Sequence, residues 1–299
     1  HSHIQPDGLI LGKALGGGKT PVFDALKGEE ETKVPRMGGI LIWGSTAITL
    51  FGIFIFATLA PNTIAPDFDF LTRNQTWVPA ALFFLGALVG LIDDLLEVTQ
   101  GSMGLSLPIR LAAVGGASLL AAWWFYEKLE ITSVGIPFAG PFELGIWIIP
   151  FFVIGTLIIY AGGVIDGIDG LSGGIFSIIF GAYALIAFMQ GQYDLAAFSA
   201  TIAGATLAFL WFNVPPARFY MTETGSMALT MALATIAIMT DTLGEGIGIA
   251  VLPIIAFPLV GTVAANVLQV LSKKILKRKI FKIAPVHHHF EAIGWPSYK

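Results

Sequence analysis

The chain has 299 residues, of which 55% are hydrophobic and only 12% are charged. Soluble domains average about 25% charged residues, so this balance argues against a soluble globular protein and favours one that crosses a bilayer. The formal net charge of −4 is small and indicates no particular partner. The sequence has no cysteine, which excludes disulfides, thiolate nucleophiles and zinc–cysteine sites.

The chain divides by composition into three regions. Residues 1–36 are polar and rich in glycine, without the apolar core of a signal peptide, and predict a polar cytoplasmic segment. Residues 37–272 form the predicted transmembrane domain. Residues 273–299 form a basic cytoplasmic loop that carries the sequence HHHFE.

Long apolar runs predict an all-α membrane protein with about eight transmembrane helices, because about 20 residues cross the ~30 Å hydrocarbon core. The runs cover residues 38–60, 77–95, 107–126, 145–165, 171–190, 194–213, 226–242 and 247–271. The last run contains Pro253 and Pro258, which predict a kinked or broken helix. Between the third and fourth runs, the alternating segment ITSVGIPFAGPFELG predicts a small extracytoplasmic β-hairpin.

The expected orientation follows from lysine and arginine, because cytoplasmic loops carry an excess of both. With eight spans, the loops on one side hold only Arg73 and Lys128. The loops on the other side hold Lys33, Arg36, Arg110, Arg218, Lys273, Lys274, Lys277, Arg278, Lys279 and Lys282. We therefore expect the second set of loops, and both chain ends, to be cytoplasmic.

Three acidic motifs fall on the expected cytoplasmic side. LIDDLLE, with Asp93 and Asp94, ends the second span, and GGVIDGIDGLSGG, with Asp166 and Asp169, joins the fourth span to the fifth. YMTETGS, with Glu223, leads into the seventh span. Taken alone, Asp93 and Asp94 are more often solvated loop residues than a site. The Asp166–Asp169 loop is as readily a tight turn, and Glu223 is as readily an acid favoured at a helix N-terminus. Their convergence on one side of the membrane indicates a common site.

Carboxylates gathered at a membrane surface suit phosphoryl transfer. They can hold Mg²⁺, which prefers oxygen ligands and often bridges to substrate phosphate. Repulsion between two neighbouring carboxylates makes one a better proton acceptor, which suits a general base. Glycine-rich loops, helix N-termini and basic side chains such as Lys33, Arg36, Arg110 and Arg218 can bind a diphosphate. The residues thus suggest transfer from a cytosolic phosphorylated donor to a lipid acceptor.

Several motifs resemble those of one family. PRMGGI, LIDDLLEV, DGIDGLSGG, FNVPPARFYMTETGS and APVHHHFEAIGWP are similar to motifs of the bacterial phospho-N-acetylmuramoyl-pentapeptide transferases, in the same order, from about Pro35 to Pro296. The DD and DG-x-DG motifs are shared across the polyprenyl-phosphate N-acetylhexosamine-1-phosphate transferase superfamily. HHHFE marks the branch that accepts UDP-MurNAc-pentapeptide.

The resemblance implies a reaction in which UDP-MurNAc-pentapeptide and undecaprenyl phosphate give lipid I and UMP, with Mg²⁺ as cofactor. It implies an active site on the cytoplasmic face of the bacterial inner membrane and often a homodimer. It also implies ten helices, of which the eight predicted spans match the second to the ninth. By motif, Asp93, Asp94 and Glu223 would be catalytic, and Glu223 and Asp166 would bind metal. The implied substrate-binding residues are Lys33, Asp166, Asp169, Asn213, Phe219, His287, His288 and His289.

The sequence departs from the family pattern in three places. Glu223 stands where the family motif FMGDTGS has aspartate. Tyr160 and Gly163 replace the two asparagines of NAVNLTDGLDG, and Glu97 replaces the usual lysine after the paired aspartates. These departures leave the details of nucleotide and metal contact open, and they keep a catalytically inactive scaffold as an alternative.

Two further alternatives remain open at the level of sequence. The nearest is a related transferase that uses UDP-GlcNAc or a similar sugar, against which HHHFE argues. The other is a secondary transporter, since acids within a membrane can relay protons. The position of the acids at one face, and the lack of a visible inverted repeat, argue against a transporter.

Overall fold

The structure is a computed structural model that describes residues 34–72, 74–100, 104–163, 165–242 and 246–296. The helices within these ranges are α1 Gly39–Leu59, α2 Trp77–Gln100, α3 Leu107–Lys128, α4 Ile148–Gly162, α5 Leu171–Met189, α6 Tyr193–Asn213, α7 Thr222–Thr242, α8 Gly248–Ile255, α9 Phe257–Ile275 and α10 Val286–Ala292. The strands are β1 Ser133–Ile136 and β2 Gly140–Glu143. Lys33, one of the predicted substrate-binding residues, lies outside the described residues.

Each predicted span coincides with a helix, and the all-α polytopic membrane fold is confirmed. The helices α1, α3, α4 with the turn before it, α5, α6 and α7 are long and apolar enough to cross a membrane. The helix breaks between Pro253 and Pro258, as predicted, and the two parts α8 and α9 are bent by 76° relative to each other. Helix α2 has 24 residues, long enough to cross, although its last turns are acidic, and its crossing stays a prediction.

Helix α7 forms the centre of the bundle, and 94% of its apolar stretch is buried. Its first turn is approached closely by two glycines. A Cβ atom at Gly90 of α2 would lie 2.3 Å from the carbonyl oxygen of Glu223, and a Cβ at Gly39 of α1 would lie 2.3 Å from the backbone nitrogen of Gly225. Small residues let membrane helices pack backbone against backbone. The start of α7 is therefore tightly packed between α1 and α2.

The predicted hairpin is confirmed and lies at the other end of α7. Strands β1 and β2 pair antiparallel, with Ser133 opposite Glu143. The carboxylate of Asp241, in the last turn of α7, accepts hydrogen bonds from the backbone N–H of Gly135 (2.7 Å) and of Ile249 (3.1 Å). Along the helix axis Asp241 is about 27 Å from Glu223, so the hairpin and the acidic motifs occupy opposite ends of the bundle.

Candidate active site

Asp94 caps the N-terminus of α7 from the neighbouring helix α2. One carboxylate oxygen accepts hydrogen bonds from the Thr222 hydroxyl (2.7 Å) and the Thr224 backbone N–H (3.0 Å), and the other accepts a longer one from the Glu223 N–H (3.3 Å). The first N–H groups of a helix have no partner within the helix, and a carboxylate also suits the positive end of its dipole. Asp94 thereby fixes where α7 begins.

Asp166 ties the loop between α4 and α5 to the same helix start. Its carboxylate accepts hydrogen bonds from the Thr222 backbone N–H (2.7 Å) and from the Ser172 hydroxyl (2.8 Å). Removal from water raises the pKa of the Asp166 carboxyl above its ordinary value, and these two hydrogen bonds oppose the rise. The DG-x-DG motif and the YMTETGS motif therefore meet at one backbone position.

Thr222 occupies that position in an unusual conformation. Its φ of +56° lies in the left-handed region, where a β-branched residue is strained by about 1–3 kcal/mol. The family motif FMGDTGS has glycine at this place, which adopts such a φ freely. In this chain the hydrogen bonds to Asp94 and Asp166 hold the threonine in place.

The acidic residues Asp93 and Glu223 share one cation, Arg110, near the start of α3. An Arg110 terminal nitrogen lies 2.8 Å from a Glu223 carboxylate oxygen and 3.6 Å from an Asp93 oxygen. The other Asp93 oxygen accepts the backbone N–H of Leu105 at 2.5 Å. All three charged side chains are buried. The sequence suggested Arg110 as a binder of diphosphate, and the structure adds that it pairs with two of the site's own carboxylates.

Asp169 and Asn213 brace the segment that precedes Glu223. Asp169 accepts hydrogen bonds from the Ala217 N–H (2.9 Å) and the Tyr220 hydroxyl (3.2 Å). Asn213 accepts the Gly170 N–H and donates to the carbonyl of Phe219, both at 3.0 Å. Both side chains therefore have a role within the fold, and their contact with substrate stays a prediction.

Phe219 belongs to an aromatic cluster beside this segment. Its ring centroid lies 5.8 Å from that of Phe209 and 5.6 Å from that of Phe212. The Arg218 guanidinium lies over the Phe212 ring at 5.7 Å. A cluster of this kind offers a flat apolar face next to a cation at the edge of the acidic site.

The HHHFE helix α10 brings His288 against the DG-x-DG loop. His288 is buried, and its Nδ1 lies 2.8 Å from a Glu291 carboxylate oxygen. A Cβ atom at Gly167 would come within 2.9 Å of His288 Nε2, so the ring lies directly beside the residue that follows Asp166. The His287 ring packs 4.4 Å from that of His288.

His289 faces a different environment. Its Nδ1 accepts the backbone N–H of Lys282 at 3.1 Å, and its ring packs edge-on against Phe281 at 5.4 Å. These contacts fold the basic loop back on α10. The structure thus brings His288 and His287 to the acidic site and gives His289 a part in holding the loop.

Glu97, one of the departures from the family pattern, pairs with a cation of another motif. Its carboxylate forms an ion pair with Arg36 of PRMGGI. Both side chains are about one-third exposed. The acid that replaces a lysine in this chain therefore has a positive partner, which sequence reasoning did not identify because the two residues lie far apart in the chain.

Two carboxylates of the site each have an oxygen without a close protein partner, which is the kind of ligand that Mg²⁺ prefers. Among the described residues, no three histidine, aspartate or glutamate side chains are arranged to hold a metal ion. However, one Glu223 oxygen has only a 3.5 Å contact from the Ser226 hydroxyl, and an Asp93 oxygen is 3.6 Å from Arg110. Mg²⁺ is commonly bound by one or two carboxylates with substrate phosphates and water completing the shell. Glu223 and Asp93 can supply these one or two carboxylate ligands.

A cluster of buried acids thus lies at one end of the membrane helix bundle. Residues 76–241, which include most of these acids, match the model of glycosyl transferase family 4 and place the chain among the transferases. The phospho-N-acetylmuramoyl-pentapeptide-transferase of Anoxybacillus flavithermus is 33% identical over 91% of this chain and 79% of its own length. The enzyme of that name from Bacillus subtilis is 34% identical over 84% and 77%, respectively. That from Lactiplantibacillus plantarum is 33% identical over 91% and 79%. The chain belongs to the phospho-N-acetylmuramoyl-pentapeptide-transferase family.

Proposed function

We propose that the protein transfers phospho-MurNAc-pentapeptide from UDP-MurNAc-pentapeptide to undecaprenyl phosphate, giving lipid I and UMP in peptidoglycan biosynthesis. The observation that carries this proposal is the meeting of three separate acidic motifs at the first turn of α7, through Asp94, Asp166 and Glu223. Its specific donor is supported by His288 of HHHFE, which lies against the DG-x-DG loop.

The reaction exchanges one phosphorus–oxygen bond for another. An oxygen of undecaprenyl phosphate attacks the phosphorus that carries MurNAc, the bond from that phosphorus to the uridylate oxygen breaks, and UMP leaves. We assign Asp93 to the reaction centre, where it would hold Mg²⁺ beside the acceptor phosphate, because one of its oxygens makes no close hydrogen bond. Asp94 acts as a positioning residue, since its oxygens accept hydrogen bonds from Thr222 and Thr224. Arg110 offsets negative charge between Asp93 and Glu223.

Magnesium dependence is part of the proposal, with Glu223 and Asp93 as the protein ligands. Bound Mg²⁺ would neutralise charge on the diphosphate and so favour departure of UMP. The two oxygens of Asp166 both accept hydrogen bonds within the fold, from Thr222 and Ser172. The metal-binding role expected for Asp166 therefore stays a prediction.

We further propose that the site faces the cytoplasm from the inner membrane. The acidic motifs share one end of the bundle with Arg36 and Arg110, and with the basic loop that Lys282 joins to α10, the helix whose His288 lies against Gly167. An excess of positive charge at membrane-flanking segments favours the cytoplasmic side. The homodimer expected from the family resemblance stays a prediction.

The test is an assay of the purified protein with UDP-MurNAc-pentapeptide, undecaprenyl phosphate and Mg²⁺, following UMP release and lipid I formation. We expect UMP release to require both substrates and to fall at least about 100-fold in Asp93→Asn, which loses a charged oxygen at the reacting phosphate. Lipid-linked product from UDP-GlcNAc alone would indicate the related sugar transferase. Lack of product with every donor would favour the scaffold or the transporter.

A further inference from the structure

Two buried hydrogen-bond donors in the site have no partner in the part of the chain that the structure describes. They are the Tyr160 hydroxyl and the Arg110 Nε group. Tyr160 is 5% exposed and Arg110 is 7% exposed, so bulk water does not solvate them. Buried polar groups in folded proteins are nearly always hydrogen-bonded, and an unpaired one needs an explanation such as a bound water or a ligand.

The two donors lie at one place in the bundle. Tyr160 is in the last turn of α4 and Arg110 is near the start of α3, the helix packed beside it. The phenol lies near the Arg110 guanidinium and the Glu223 carboxylate, and its contact with the guanidinium falls short of a full hydrogen bond. Glu223 holds Arg110 by a terminal nitrogen at 2.8 Å, which fixes the guanidinium and leaves its Nε group unpaired.

The chemistry of the pair selects an acceptor. Arginine carries only donors, and a neutral tyrosine hydroxyl can donate one hydrogen bond. A guanidinium beside a second donor binds phosphate oxygens well, because charge-assisted hydrogen bonds are short and strong. The family pattern has asparagine where this chain has Tyr160, so the longer phenol places its donor farther from the α4 backbone.

We propose that Tyr160 Oη and Arg110 Nε bind a non-bridging oxygen of a substrate phosphate, which makes Tyr160 a substrate-binding residue that this chain has in place of the family asparagine. The inference rests on the proposed function, because it takes its ligand from the two phosphate-bearing substrates. The phosphate is either that of the nucleotide or that of the lipid acceptor, and the two are told apart by experiment.

The experiment measures dissociation constants for two pairs of probes on the purified full chain in detergent with Mg²⁺. The nucleotide arm compares UMP with uridine, and the lipid arm compares farnesyl phosphate with farnesol. In Tyr160→Phe, we expect about tenfold weaker binding of the phosphate probe in one arm, the loss expected for one hydrogen bond to a charged oxygen. Uridine and farnesol should bind as they do to the wild type.

Tyr183→Phe is the matched control, because the Tyr183 hydroxyl is also buried but donates to the Gly248 carbonyl at 2.8 Å, toward the hairpin end of α7. It should leave all four dissociation constants unchanged. Arg110→Lys is the second variant: it keeps the positive charge beside Glu223 but loses Nε, and should weaken the same phosphate probe. If Tyr160→Phe does not fold, as judged by thermal unfolding, Arg110→Lys and Tyr160→Asn decide the question.

Phosphate binding within twofold of wild type in both arms for Tyr160→Phe would overturn the inference and indicate that a water molecule satisfies the hydroxyl. Failure of the wild type to bind either phosphate probe would overturn it as well. Tyr160-dependent phosphate binding without lipid I synthesis would uphold this inference and count against the proposed function. Lipid I synthesis with unchanged phosphate binding in Tyr160→Phe would support the proposed function and overturn this inference.

Discussion

The two ends of α7 each bury a carboxylate that organises the elements around it, but the partners of the two carboxylates differ. At the hairpin end, Asp241 binds the backbone N–H groups of Gly135 and Ile249, one from each neighbouring segment. At the other end, Glu223 pairs with Arg110, while the nearby Tyr160 hydroxyl has no partner in the described residues.

The contrast separates a structural polar site from a functional one. A buried carboxylate whose oxygens accept backbone N–H groups is stabilised within the fold and has little left to offer a ligand. A buried cluster of mixed charges with unpaired donors carries a desolvation cost that a ligand can relieve. Burial and charge alone would not distinguish Asp241 from Glu223, whereas the kind of partner does. Asp241 accepts two backbone N–H groups, and Glu223 accepts the Arg110 guanidinium and a long contact from the Ser226 hydroxyl.

The largest expected effect comes from neutralising Glu223. Glu223→Gln removes an anionic oxygen that Mg²⁺ requires and leaves Arg110 without its partner, so we expect UMP release to fall at least about 100-fold. Glu223→Asp restores the family residue and should keep a substantial part of the activity. UMP release by the glutamine variant within a few-fold of wild type at saturating Mg²⁺ would rule out the metal role. Glu223 would then be a structural carboxylate, as Asp241 is at the other end of α7.

The sequence predicted the membrane fold well because apolar runs and proline breaks are local signals. The eight runs, the broken helix around Pro253 and Pro258, and the hairpin all follow from patterns within about 25 residues. The side-chain pairings of the site did not follow, because they join distant positions. The pairing of Arg110 with Glu223 and the cap that Asp94 provides to α7 depend on how helices pack, which no local pattern reports.

The sequence did contain signals at three residues whose contacts it did not predict, namely Tyr160, Glu97 and Thr222. Tyr160 and Glu97 stood out as departures from the family pattern, but the pattern alone did not say what either side chain touches. Thr222, which replaces a glycine of FMGDTGS, carried a signal for a left-handed backbone position that was not used. Departures of this kind indicate where to look, and the contacts must come from the structure.

An intermediate effect is expected at the opposite end of α7. Asp241→Asn turns one acceptor into a donor that faces a backbone N–H, so we expect the free energy of unfolding to fall by about 1–3 kcal/mol. Turnover per folded molecule should stay within about twofold of wild type, since Asp241 is about 27 Å from the acidic site. Thermal unfolding in detergent and UMP release measure the two quantities. A loss of turnover at unchanged stability would show that the hairpin end is coupled to catalysis.

The smallest expected effect concerns the partly exposed ion pair of Arg36 and Glu97 at the edge of the site. Glu97→Lys places two cations together and should lower the free energy of unfolding by under about 1 kcal/mol, because exposed pairs contribute little. The double variant Arg36→Glu with Glu97→Lys should regain that stability by exchanging the charges. A double-mutant cycle on thermal unfolding tests this, and a coupling energy near zero would show that the pair adds nothing measurable to the fold.

The close contact between Gly90 and the first turn of α7 determines how well position 90 can tolerate substitution. Any side chain at Gly90 would meet the Glu223 carbonyl and push α7 away from α2. The displaced turn carries Glu223 and the N–H groups that Asp94 caps, so activity would be lost without any change in charge or chemistry. In a deep mutational scan, substitutions at Gly90 would therefore abolish activity as strongly as substitutions at the acids. Gly90 would then be mistaken for a catalytic residue, although it acts only through close packing of α2 against α7.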